Sequence, residues 1–149
     1  MKKSLIGVIG MILMVIGFGF GSLFTKPITL IKEVPKAELH VFYGFEVFDA
    51  IFAGNPGRAK WKAQMLEMMK QPGITYHGRV GHAELENEML SAGVWAYPTD
   101  FTEISCITAM KAQALGAIPV VTNFAALKET VRNGLKIDLD ITTDEGKSE

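Results

Sequence analysis

The stretch Tyr97 to Asn123, YPTDFTEISCITAMKAQALGAIPVVTN, constrains the fold most. It holds a strand end, a polar loop, a short helix, a glycine stop at Gly116 and a second apolar strand. That order is a strand–helix–strand crossover, and the rest of the chain repeats it. Strands are predicted at Glu38–Phe45, Ile74–Gly78, Val94–Tyr97 and Ile118–Thr122. Helices are predicted at Arg58–Lys70, Ala83–Ala92, from Ser105 onward, and at Ala125–Arg132. The strands are nearly continuous apolar runs. Such runs alternating with helices give an α/β fold, a Rossmann-like parallel sheet with helices on both faces. Ligands of these sheets bind outside the carboxyl ends of the strands. Here those ends are Gly44-Phe45, Gly78-Arg79-Val80, Pro98-Thr99 and Thr122-Asn123.

Three segments are expected. Residues 1–24 read as a hydrophobic leader or transmembrane helix, residues 25–36 as a linker, and residues 37–149 as the α/β domain. Leu5 to Phe24 carries no charge, and twenty residues at the helical rise match a hydrocarbon core of about 30 Å. One N-terminal apolar helix anchored in the membrane is the expectation, with a cleaved signal or a buried segment as alternatives. Lys2 and Lys3 favour a cytoplasmic N-terminus, whereas Lys26, Lys32 and Lys36 pull the other way. The soluble part is expected on the cytoplasmic side.

Several function classes drop out. A formal net charge of −1 gives no electrostatic reason to expect nucleic acid. A single cysteine excludes an internal disulfide framework. His40, His77 and His82 fall on different elements, and no His/Cys/Asp/Glu group has metal-ligand spacing, so neither a metal nor a cofactor is expected. There is no Gly-x-Gly-x-x-Gly and no phosphate-loop Gly-Lys-Ser/Thr.

The loop Thr99–Glu103 feeds a helix whose first backbone N–H groups, near Ile104, Ser105 and Cys106, lack partners within the helix. Such an end suits a phosphate. Glu103 stands just ahead of it. Lys111 lies eight residues on, about 12 Å at the helical rise, roughly the reach of a ribose–diphosphate–sugar.

These residues resemble the donor-binding segment of retaining GT-B glycosyltransferases, especially the large family-four group. The match runs through Pro98, Glu103, Ile104-Ser105-Cys106, Ala112–Gly116 and Pro119-Val120-Val121. It extends to Gly78-Arg79-Val80, His82–Leu85, Ser91–Val94 and Phe124–Val131, covering about Ala37 to Asp138. The resemblance implies a nucleoside-diphosphate sugar donor, transfer to an unknown glycosyl acceptor with retention, and no metal. It makes Glu103 the catalytic residue, meeting a donor-sugar hydroxyl. Gly78, Arg79, Val80, Thr99, Ile104, Ser105, Cys106 and Lys111 become donor-binding. Position 111 departs from the pattern, which has Glu there. A carboxylate accepts from ribose hydroxyls, whereas an ammonium only donates.

The resemblance also lacks an acceptor domain and the strand–loop–helix that carries a phosphate-neutralising Arg and Lys. Two readings therefore stand. The chain is a glycosyltransferase donor domain served by a separate acceptor domain, or a non-catalytic membrane-tethered α/β module or remnant of such an enzyme. Plain alternatives accompany the site residues. Cys106 reads as a small buried thiol, Arg79 and Lys111 also fit solvated charges, and His77 reads as structural.

Overall fold

The structure is a computed structural model that describes the backbone of residues 11–15 and, beyond it, residues 37–99 and 101–138. Six strands are present among these residues: Met11–Val15 (β1), Glu38–Phe42 (β2), Ile74–Tyr76 (β3), Val94–Tyr97 (β4), Ile118–Thr122 (β5) and Leu135–Ile137 (β6). They form one sheet in the order β3-β2-β1-β4-β5-β6, parallel throughout. This is the Rossmann-like order, with its topological switch between β1 and β4. The helices are Glu46–Ile51 (α1), Pro56–Met68 (α2), His82–Ser91 (α3), Ile107–Ala114 (α4) and Leu127–Thr130 (α5).

Strand period places helices on both faces. In β2, Leu39 and Val41 join Phe45, Phe48, Met65 and Met69 in a core beneath α1 and α2. Phe42 turns the other way and joins Met89, Trp95, Ala109, Ala112, Val121 and Leu127 beneath α3, α4 and α5. Alternate residues of one strand thus serve two cores, which explains why the strands read as unbroken apolar runs.

Local chemistry sets the helix ends. Asn55 accepts the Arg58 N–H at 3.1 Å and caps α2, and Pro56 opens it with its φ already helical. At the end of α4, Gly116 stands at φ +92°. Its N–H donates to the Gln113 carbonyl at 3.2 Å, and the Ala117 N–H donates to Ala112 at 2.9 Å. That pair is a Schellman ending, and its left-handed residue favours glycine.

Within the apolar N-terminal run, Met11–Val15 is a strand, paired along its length with β2 (Met11 opposite Glu38, Val15 opposite Phe42) and with β4 (Ile12 opposite Val94). A membrane helix and a central parallel strand are both buried all round, so an uncharged apolar run fits either. The rest of Leu5–Phe24, and the 25–36 linker, lie outside the described residues. Among the described residues no helix is long and apolar enough to cross a membrane. Further differences are smaller. Helix α1 and strand β6 were not expected, α4 begins at Ile107 rather than Ser105, and α5 is a single turn.

Candidate functional site

The carboxyl end of β4 carries the densest polar arrangement. Thr99 and Thr122, both buried, sit at the ends of neighbouring strands β4 and β5. The Thr122 Oγ1 accepts the Thr99 N–H at 3.0 Å and donates to the Thr99 carbonyl. One hydroxyl thereby satisfies both backbone groups where the ladder stops. The Thr99 Oγ1 in turn accepts the Phe101 N–H at 3.0 Å, which bends the chain away from the sheet.

Glu103 follows and is held at three points. Its N–H donates to Phe101 at 2.9 Å, its carbonyl accepts from Ala126 at 3.3 Å, and its carboxylate accepts the Tyr97 hydroxyl at 2.9 Å. Burial, and then the bond to Glu103, push the Tyr97 phenol well above its ordinary range, so it stays a donor. A carboxylate offers about four acceptor positions, which leaves room for further donors.

Cys106 is the N-cap of α4, and no side chain caps that end. The helix starts later than expected, so its leading N–H groups belong to Ile107 and Thr108 instead of Ile104, Ser105 and Cys106. The first turn of α4 holds no acidic residue to neutralise its partial charge. The Cys106 thiol is free and buried. Burial pushes its pKa up, against the backbone N–H groups of Ala109 and Thr108, which pull it down. A protonated, buried thiol is not a nucleophile. Ile104 and Ser105 are exposed on the loop.

The second corner lies at the end of β3. Gly78 stands at φ +70°, a conformation glycine adopts freely, and turns the chain into Arg79 and Val80. A cavity of about 350 Å³ opens there, lined by Phe42, Gly44, Glu46, Gly78, Arg79 and Val80 among others. A Cβ on Gly44 would sit 2.7 Å from the Arg79 Cβ, so glycine is needed where the β2 end passes the Arg79 turn. A larger cavity, about 570 Å³, runs between α1 and α2 beside the Lys62–Asp49 ion pair. Its described lining includes no strand residue and no other ion pair.

Lys111 turns from both corners. Its Nζ donates to the Glu86 carboxylate of α3 at 2.7 Å. That hydrogen bond, and then the ammonium charge, hold the Glu86 carboxyl below its usual range. With α4 starting at Ile107, Lys111 stands about 6 Å along the helix from its start.

The fold therefore brings Thr99, Glu103 and Cys106 together, sets Gly78, Arg79 and Val80 in a separate corner of the same sheet edge, and pairs Lys111 with α3. Sequence reading missed Tyr97 and Thr122 as partners of this site. Their positions at the last inward residues of two adjacent strands were the available signal. Neither a protein-family model nor a curated protein matches this chain.

Proposed function

We propose that the carboxyl edge of this sheet binds a nucleoside-diphosphate sugar, and that the chain is the donor-binding part of a glycosyltransferase. The observation carrying this reading is Glu103. Its carboxylate is fixed by Tyr97, its backbone is fixed on both sides, and it stands directly ahead of the uncapped N-terminus of α4. Acceptor oxygens beside an uncapped helix N-terminus suit a sugar next to a diphosphate. The diphosphate sits at Ile107 and Thr108, where the helix end stabilises the charge that develops on departure. Glu103 accepts from a sugar hydroxyl. The base end lies in the Gly78-Arg79-Val80 cavity. In the sheet order, β3 and β4 are three strand spacings apart, about 14 Å, which suits a ligand of this length.

Phe101, Ile104, Ile107 and Phe124 are large, exposed and on segments that leave this same edge. They suit a covering protein surface, the role of a separate acceptor domain.

The test is calorimetric titration of the full-length chain with UDP, GDP and ADP and with their sugar esters. Saturable binding of one base is expected. Glu103→Ala should cost the sugar ester about 1.5–3 kcal/mol of affinity, the range of a hydrogen bond to a charged group, and leave the bare diphosphate nearly unchanged. No heat with any of them at millimolar ligand contradicts the proposal. Donor hydrolysis lost in Glu103→Ala distinguishes a transferase from a binding module.

A further inference from the structure

Three side chains distant in sequence meet on the α3 face of the sheet. His40 is the central residue of β2, His77 follows β3, and Glu88 lies on α3. The His40 Nδ1 lies 2.9 Å from the His77 Nε2 and 3.6 Å from the Glu88 Oε2. One ligand atom from each residue lies within 4.8 Å of the others. We propose that this cluster is a zinc-binding site, with His40 Nδ1, His77 Nε2 and a Glu88 carboxylate oxygen as ligands and water in the fourth position.

The geometry is close to what the ion requires. Zinc holds nitrogen at about 2.0–2.1 Å and carboxylate oxygen at about 2.0–2.2 Å, so neighbouring ligands of a tetrahedral site stand about 3.3 Å apart. The separations of 2.9 and 3.6 Å from His40 Nδ1 bracket that value, and the third pair, His77 and Glu88, lies within 4.8 Å. Two imidazoles and one carboxylate are a ligand set suited to zinc, and alkaline-earth ions prefer all-oxygen sites.

The rings are already held in place. His77 stacks on Phe42 with centroids 4.3 Å apart, and its backbone N–H donates to Val41 at 2.9 Å. His40 is nearly buried, at 13% side-chain exposure. Its second nitrogen, Nε2, is buried without a hydrogen-bond partner among the described residues. The Glu38 Oε2 lies 3.6 Å from it. Metal on Nδ1 fixes the proton on Nε2, and Glu38 is positioned to accept it after a small side-chain movement. A ligating histidine commonly has such an outer acceptor. An ion here would tie β2, β3 and α3 together.

The experiment uses the untagged full-length chain, stripped with EDTA. It is titrated with zinc chloride by calorimetry and with cobalt chloride by visible absorption. One ion per chain is expected, with cobalt bands of a low-coordinate site. His77→Ala and Glu88→Gln should each weaken zinc binding by tenfold or more. Glu88 is on the partly exposed side of the cluster, and glutamine keeps its shape, so this variant tests the ligand without disturbing the core. Glu38→Gln should weaken binding by about 10–100-fold, the usual cost of losing an outer-shell partner. His82→Ala removes the exposed third histidine and should change nothing. No stoichiometric uptake, or binding unchanged in Glu88→Gln, or binding lost in His82→Ala, would overturn the site.

Discussion

Glu103 is over-determined for a residue in an irregular loop. Backbone bonds to Phe101 and Ala126 and the Tyr97 hydroxyl fix it within the chain itself. Pre-ordering of this kind lowers the entropic cost of binding. Cys106, three residues on, is shielded instead of activated. Its folded pKa lies above the unfolded value, so its contribution to stability is present below the unfolded thiol pKa and is lost as pH rises through the folded one. Iodoacetamide should accordingly label native chain at pH 8 far more slowly than chain in denaturing urea. Equal rates would mean an open, ionised thiol.

Glu86 has the opposite sign. Lys111 depresses its pKa, so the pair stabilises the fold above the ordinary carboxylate pKa, and that contribution is lost as pH falls through the depressed value. Lys111→Glu should lower Tm at pH 7 by setting two carboxylates face to face. Adding Glu86→Lys should restore much of the loss. A Tm unchanged in the single variant would mean the pair does not form in solution. Sequence reading weighed Lys111 as a ligand contact or a solvated charge. Its partner lies 25 residues away on another helix, where no local pattern reveals it.

At the scale of elements, the βα loops depend on how neighbouring strands end. Thr122→Val keeps the shape of the side chain and removes the hydroxyl. The Thr99 N–H and carbonyl, both at a buried residue, then lose their partner. A cost of about 1–3 kcal/mol is expected for stranding them, read from the urea midpoint. The loop should also bind nucleotide less well, since Thr99 starts the turn that leads to Glu103. A change within a few tenths of a kcal/mol would mean water replaces the hydroxyl.

The element pattern was largely legible. β4 and β5 fall where alternation and glycine punctuation put them, and Gly116 ends α4 as expected because only one backbone conformation suits that ending. The start of α4 was not legible to the residue, since Ser105 is a preferred capping residue yet Cys106, a poor one, takes the N-cap position. Nor was β6, three residues long and exposed at two of them. Ala125 stands at φ +46°, and nothing in its side chain announces that conformation.

Across the whole molecule, the sheet order decides where the site lies. β1 joins the β3-β2 half to the β4-β5-β6 half, and the switch between β1 and β4 puts a crevice at the carboxyl edge. Met11–Val15 supplies this central strand. The strand use was invisible in sequence because twenty uncharged residues satisfy a bilayer and a sheet interior alike. The His40, His77 and Glu88 cluster was hidden for a related reason. Parallel strands bring together residues separated by a full crossover, so ligand spacing along the chain carries no signal.

On the proposed function, a nucleotide sugar occupies the carboxyl edge between the Gly78 turn and the start of α4. Hydrogen exchange of the full-length chain, followed by mass spectrometry with and without millimolar UDP-, GDP- and ADP-sugars, tests it directly. Slowed exchange is expected in peptides covering residues 78–80 and 101–108 for at least one donor, with no change in α2. Absence of protection at both segments with every donor, or protection confined to α2, would contradict the account.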